Sequence, residues 1–209
     1  MNVLLINGSP NERGCTYTAL KEVEKTLNAN GVTTQLIWLG ARPVAGCIAC
    51  GKCREEGHRG QCVFEDAVNQ ISAHLDQVDG MVVGSPVYYS SASGQVTAFL
   101  DRLFYTCGSR MAGKLGACVV SCRRGGGTAT FDQLNKYFAM NNMPIVTSQY
   151  WNQVHGSKPE DLLEDSEGLQ TMRTLGQNMA WLLKCIQAGR EAGIGLPEYE
   201  TKIWTNFVR

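Results

Sequence analysis

Five short apolar runs, each followed by a segment of helical periodicity except where a long loop intervenes, constrain this chain more than any other feature. The runs are Asn2–Asn7 (NVLLIN), Val32–Leu39 (VTTQLIWL), Val78–Ser85 (VDGMVVGS), Gly116–Ser121 (GACVVS) and Pro144–Ser148 (PIVTS). They are short and largely aliphatic or β-branched, so they read as strands, the third cut off by Pro86. Helical spacing places five helices over about Thr16–Asn30, Ala67–Gln77, Gln95–Tyr105, Thr128–Met140 and Glu167–Ala188. The last carries Leu169, Met172, Leu175, Met179, Leu182, Leu183 and Ile186 on one face. Strands alternating with helices imply βαβ units and a parallel sheet, an α/β fold with five strands. Such sheets bind ligands beyond the carboxyl ends of their strands.

Of the 209 residues, 44% are hydrophobic and 18% charged, enough for one domain with a sizeable core. Nineteen Lys and Arg balance nineteen Asp and Glu. That balance gives no basic footprint for nucleic acid and no attraction to an anionic membrane. Runs such as Val3-Leu4-Leu5-Ile6 fall far short of the ~20 apolar residues that span a bilayer. Met1-Asn2 leads straight into the first run without a basic segment, so the expected location is the cytoplasm.

Three loops carry unusual chemistry, and they follow the first, third and fourth strands. The first, Gly8 to Thr18, joins a strand to a helix and is rich in glycine and hydroxyls. It suits a phosphate held by backbone N–H groups, hydroxyls and a helix dipole. No Gly-Lys-Ser/Thr ends it, so it is not a Walker loop. The second, Gly84 to Gln95, offers Tyr88 and Tyr89 to a flat ring and small hydroxylic residues beside them. The third, Cys122 to Thr128, combines three glycines with Arg123 and Arg124.

Nine cysteines without an oxidising compartment point to free thiols, metal ligands or redox groups. Cys47, Cys50, Cys53 and Cys62 cluster in one long loop between the second strand and second helix. Three thiols in a CxxCxxC array, with a fourth beyond, suit a [4Fe–4S] cubane, a tetrahedral zinc or a set of reduced or disulfide-forming thiols. Cys107, Cys118 and Cys185 lie in regular patterns and read as small buried apolar groups.

The segments GSPNERGCT, GSPVYYSSASGQVTAFLDR and the glycine-rich loop after the fourth strand, in that order, resemble the NAD(P)H-dependent FMN reductase branch of the flavodoxin-like flavoproteins. The resemblance spans about residues 1–188, and CIACGKC further resembles the iron-sulfur flavoprotein group within that branch. It implies a flavodoxin-like three-layer sandwich. It also implies that Ser9, Cys15, Thr16, Tyr17 and Thr18 surround an FMN phosphate, and that Pro86, Val87, Tyr88 and Tyr89 line the isoalloxazine. Ser121, Arg123 and Gly125 would approach from the third of these loops, and Cys47, Cys50, Cys53 and Cys62 would hold the cluster if one is present.

The activity so implied is an FMN-dependent oxidoreductase that draws electrons from NADH or NADPH and passes them to a flavin, a quinone or another small acceptor. The alternative is an iron-sulfur flavoprotein exchanging electrons with ferredoxin. The flavin carries the chemistry, so no catalytic acid or base is assigned. Residues 189–209 form a C-terminal extension with Leu196, Pro197, Tyr199, Ile203, Trp204 and Phe207, which reads as an arm joining a homodimer or homotetramer.

Overall fold

The first apolar run forms an inner strand of a parallel sheet in the computed structural model, which describes residues 1–205; Phe207 lies outside the described residues. The elements are β1 (Asn2–Asn7), α1 (Cys15–Ala29), β2 (Thr33–Trp38), α2 (Ala67–Ser72), β3 (Gly80–Tyr88), β4 (Ser91–Ala92), α3 (Gly94–Cys107), β5 (Leu115–Cys122), α4 (Gly127–Met140), β6 (Gln153–His155), α5 (Pro159–Glu164) and α6 (Ser166–Glu191). The parallel order is β2-β1-β3-β5-β6, with β4 paired antiparallel to β3. That is the flavodoxin-like doubly wound order, whose switch point lies beside β1.

Strand period two divides the core. Leu4, Ile6, Met81, Val83, Cys118 and Val120 face Phe99, Leu100, Leu103, Leu134 and Phe138 of α3 and α4. Val3, Leu5, Val82, Ala117 and Val119 face Leu20, Val23, Met172, Leu175 and Met179 of α1 and α6. Both faces are covered, which explains why the strands are continuously apolar instead of alternating. Among the described residues no helix is long and apolar enough to cross a membrane.

Four expectations are corrected. Pro86 does not end β3: it stands opposite Ser121 at the last parallel pair, and the strand continues to Tyr88 in a hairpin with β4. The fifth parallel strand is not Pro144–Ser148. Only Ile145 bridges Gly116 there, the chain steps out, and Gln153–His155 completes the pairing with Val120–Cys122. The Ser148 hydroxyl, facing Tyr150 O at 2.6 Å and the Asn152 side chain at 2.8 Å, closes this excursion. The second helix stops at Ser72, and a separate 3₁₀ turn covers Leu75–Gln77. Cys107 and Cys118 are buried, but Cys185 is exposed, since Met179 and Leu183 mark the inward stripe of α6 and residue 185 lies off it.

Candidate functional site

Buried Asn7 shapes the loop after β1. Its Oδ1 accepts the Ser9 N–H at 3.1 Å and its Nδ2 donates to Glu12 O at 2.9 Å. Ser9 Oγ accepts the Asn11 N–H at 3.1 Å, and Trp38 at the end of β2 donates its indole N–H to Ser9 O at 2.8 Å. From the other side, Ser93 Oγ donates to Gly8 O at 2.8 Å. A Cβ at Gly8 would stand 1.7 Å from Val96 Cγ2, so only glycine lets the loop lie this close to α3. The loop is therefore fixed by its own side chains together with Trp38 and Ser93.

Helix α1 starts after Gly14, which has no side chain to cap it. The N–H groups of Cys15, Thr16 and Tyr17, unsatisfied within the helix, form with the dipole a seat for an anion. Of the residues expected around a phosphate, Ser9, Cys15, Thr16 and Thr18 have their side chains engaged within the protein. Thr16 Oγ1 is 2.8 Å from Ser121 Oγ, both buried, and Thr18 Oγ1 donates to Gly14 O at 3.3 Å. Cys15 Sγ turns to Gly156 O at 3.6 Å, and burial pushes its thiol up. These residues offer the seat their backbone. Asn7 and Trp38 escaped the sequence reading, although an Asn closing an apolar strand is a visible signal.

The β3–β4 hairpin stands over the next loop. Tyr89 and Ser90 form its two-residue turn with φ of +50° and +58°, the type I′ geometry that suits strand twist. Tyr88 is half exposed and Tyr89 fully exposed at the tip. Gln133 Oε1 pins the hairpin to α4, accepting from Ser91 Oγ and Ala92 N at 2.8 Å each. Gly126, at φ +89°, lies under Ser90 and Val87: a Cβ there would meet Ser90 Cα at 2.8 Å. Arg123, Arg124 and Gly125 are exposed beside it. The structure thus gathers Ser9, Thr16, Val87, Ser121 and Gly126 at one sheet edge.

The cysteine loop packs along α3. Cys47, Cys50, Cys53 and Cys62 all line one pocket with Ile48, Val63, Tyr105 and Thr106. Cys47 and Cys50 are exposed, Cys53 and Cys62 half-buried, and all four thiols are free. Among the described residues no three His, Cys, Asp or Glu side chains stand close enough to hold a single ion.

Arg102 closes the back of the pocket. It is buried, yet its guanidinium grips Asp66 through Nη1–Oδ2 at 2.5 Å and Nη2–Oδ1 at 3.0 Å. Its Nε and Nη2 both donate to Cys62 Sγ, at 3.3 and 3.2 Å, and the carbonyls of Ala45 and Phe64 accept at 3.3 Å. Burial opposes the charge, and the hydrogen bonds to Asp66 and Cys62 outweigh it, holding the guanidinium above its ordinary value. Asn69 grips the Cys62 backbone from the other side, accepting its N–H at 2.7 Å and donating to its carbonyl at 2.9 Å.

The profile of the NADPH-dependent FMN reductase family matches residues 1–157. An iron-sulfur flavoprotein of Methanocaldococcus jannaschii is 32% identical over 195 residues, covering 90% of this chain and all of that protein. Among solved structures, RosB with bound 8-demethyl-8-formylriboflavin-5′-phosphate superposes with a TM-score of 0.70 at 12% identity, covering 100% of this chain and 94% of the other. An archaeal flavodoxin superposes with a TM-score of 0.60 at 16% identity, covering 88% and 99%. The chain is a flavodoxin-like flavoprotein and belongs to the NADPH-dependent FMN reductase family.

Proposed function

We propose that this protein binds FMN at the three-loop edge and a [4Fe–4S] cluster on Cys47, Cys50, Cys53 and Cys62, and that it works as an electron-transfer flavoprotein. The single observation that carries this reading is the convergence of four free thiols on one pocket, with Cys62 already held by Arg102 and Asn69. Four cysteine thiolates are the ligand set of a [4Fe–4S] cubane, whose four irons each take one. The similarity to an iron-sulfur flavoprotein over that protein's full length supports the same assignment.

The FMN would supply redox chemistry that no side chain provides, and the cluster single-electron exchange. The chain's own tasks are binding and orientation. The Cys15, Thr16 and Tyr17 N–H groups receive the phosphate, with Ser9 and Thr18 beside them. Pro86, Val87, Tyr88 and Tyr89 cover the ring, while Ser121, Arg123 and Gly125 close the far side. Electrons would leave for a small acceptor or a ferredoxin.

Anaerobic purification with an absorption spectrum and iron and acid-labile sulfide analysis tests this reading. Expected are flavin absorption and about four irons and four sulfides per chain, lost on Cys50→Ala. Flavin without iron would replace it with a plain nicotinamide-dependent reductase carrying free thiols. That second reading draws on the exposed pair Arg123 and Arg124 beside the hairpin, which would take the phosphates of NADH or NADPH. Steady-state oxidation of either nucleotide would support it.

The exposed Ile194, Tyr199, Ile203 and Trp204 beyond α6 favour an arm joining a homodimer or homotetramer, with Leu196 lying against Gly113 of the same chain. A chain ending at Glu191 is expected to elute at lower oligomeric mass. An unchanged mass would sink the arm.

A further inference from the structure

We infer that Arg102 is a positioning residue that sets the redox equilibrium of the cluster through Cys62. The inference rests on the cluster reading above. Cys62 stands apart from the compact CxxCxxC, after a stretch that passes through the positive-φ glycines Gly57 and Gly60. Asn69 of α2 holds its backbone, and Arg102, forty residues away on α3, fixes its sulfur with two donors of one planar fork.

Stability alone does not require this arrangement. Burying a guanidinium is costly, and replacing a buried ion pair by apolar groups is often neutral or stabilising. Asp66 retains 31% side-chain exposure and also accepts the Val68 N–H at the start of α2, so it has water and backbone for company without Arg102. What only this guanidinium provides is a rigid, always-charged donor pair aimed at a prospective ligand sulfur. Lysine, a point charge on a flexible stem, does not reproduce it.

Hydrogen bonds to ligand sulfurs withdraw negative charge and favour the reduced cluster. Asp66 balances the guanidinium charge at longer range, so the two N–H···S bonds carry the effect. Removing them should lower the potential. Neutralising Asp66 should raise it, because the guanidinium charge then acts unopposed.

The test uses the full chain, purified anaerobically, as wild type, Arg102→Lys and Asp66→Asn. Flavin, iron and sulfide content come first, then the cluster's midpoint potential and the electron paramagnetic resonance of its reduced form. Arg102→Lys is expected to keep wild-type flavin content, with a reduction equilibrium constant at least tenfold lower, which for one electron is about 59 mV, and altered g-values. Asp66→Asn is expected to shift the equilibrium the other way, and it decides the matter if Arg102→Lys fails to load. A loaded Arg102→Lys with wild-type potential and spectrum overturns the role of Arg102 and leaves the cluster standing. So does an unchanged Asp66→Asn when Arg102→Lys does not load. A wild type with flavin but no iron or sulfide overturns both.

Discussion

Thr16 Oγ1 and Ser121 Oγ lie 2.8 Å apart in the interior and share one hydrogen bond, joining the first turn of α1 to the carboxyl end of β5. The bond holds the anion seat in register with the loop that follows β5.

Thr16→Val preserves shape and leaves the Ser121 hydroxyl unpaired, so stability should fall by about 1–3 kcal/mol. Adding Ser121→Ala removes the orphan as well, and the double variant should recover most of the loss. Urea midpoints of wild type, Thr16→Val, Ser121→Ala and the double variant measure this directly; a double variant no more stable than Thr16→Val would show that the bond is not the source of the effect.

Gly8→Ala drives a methyl group into Val96, and overpacking of this kind costs about 1–3 kcal/mol. Because the displaced loop also shapes the anion seat, FMN retained through gel filtration should fall with it. Val96→Ala in the same chain should restore part of both, the approach to Gly84 O at 3.0 Å remaining. Thermal melting and flavin absorbance report the two effects separately.

At the hairpin tip, Tyr89 and Ser90 occupy the left-handed region that asparagine and glycine fill at lower cost. Replacing the pair by Asn-Gly should stabilise the protein by roughly 0.5–1 kcal/mol and weaken FMN binding by removing an aromatic cover. A rise in melting temperature with unchanged FMN affinity would remove Tyr89 from the flavin site.

Burial, together with the Asp101 carboxylate that accepts its hydroxyl, pushes the Tyr137 phenol above its ordinary value. The folded state then holds that proton more tightly than the unfolded chain, whose phenols titrate near pH ~10. The resulting stability is fully present below that pH and is lost as pH climbs toward the folded value. The advantage of wild type over Tyr137→Phe should be constant from pH 7 to 9 and narrow above ~10. Parallel stability curves up to pH ~11 would contradict the assignment.

Strand and helix existence was legible because both faces of the sheet are covered, which makes each strand an unbroken apolar run between amphipathic helices. The edge strand was not. PIVTS has the composition of a strand, but only Ile145 bridges Gly116, with the Val146 N–H donating to Gly116 O at 2.8 Å, before Ser148 and Asn152 capture the chain in a turn. Tertiary hydrogen bonding overrides propensity there. In the site, a glycine- and hydroxyl-rich loop after β1 and aromatics after β3 were expected from loop chemistry; the hairpin that carries Tyr89 and Ser90 was not, and the direction of Cys15 Sγ and the sharing of Thr16 with Ser121 depend on contacts more than a hundred residues away. Arg102 was visible only as part of Phe99-Leu100-Asp101-Arg102; nothing in its neighbours announces Cys62.

One helix serves both halves of the site: Ser93, capping α3, holds Gly8 of the first loop, Gln95 holds Gly40 at the root of the cysteine loop, and Arg102 holds Cys62. Helix α3 is therefore a spacer of set length, about 13 Å of axial rise between Ser93 and Arg102. Loops on either side can lengthen or shorten without altering that interval. A single residue inserted between Gln95 and Arg102 would instead swing the guanidinium by about 100° and strip Cys62 of its anchor, so the tolerance of this protein to length variation should end sharply at the boundaries of α3.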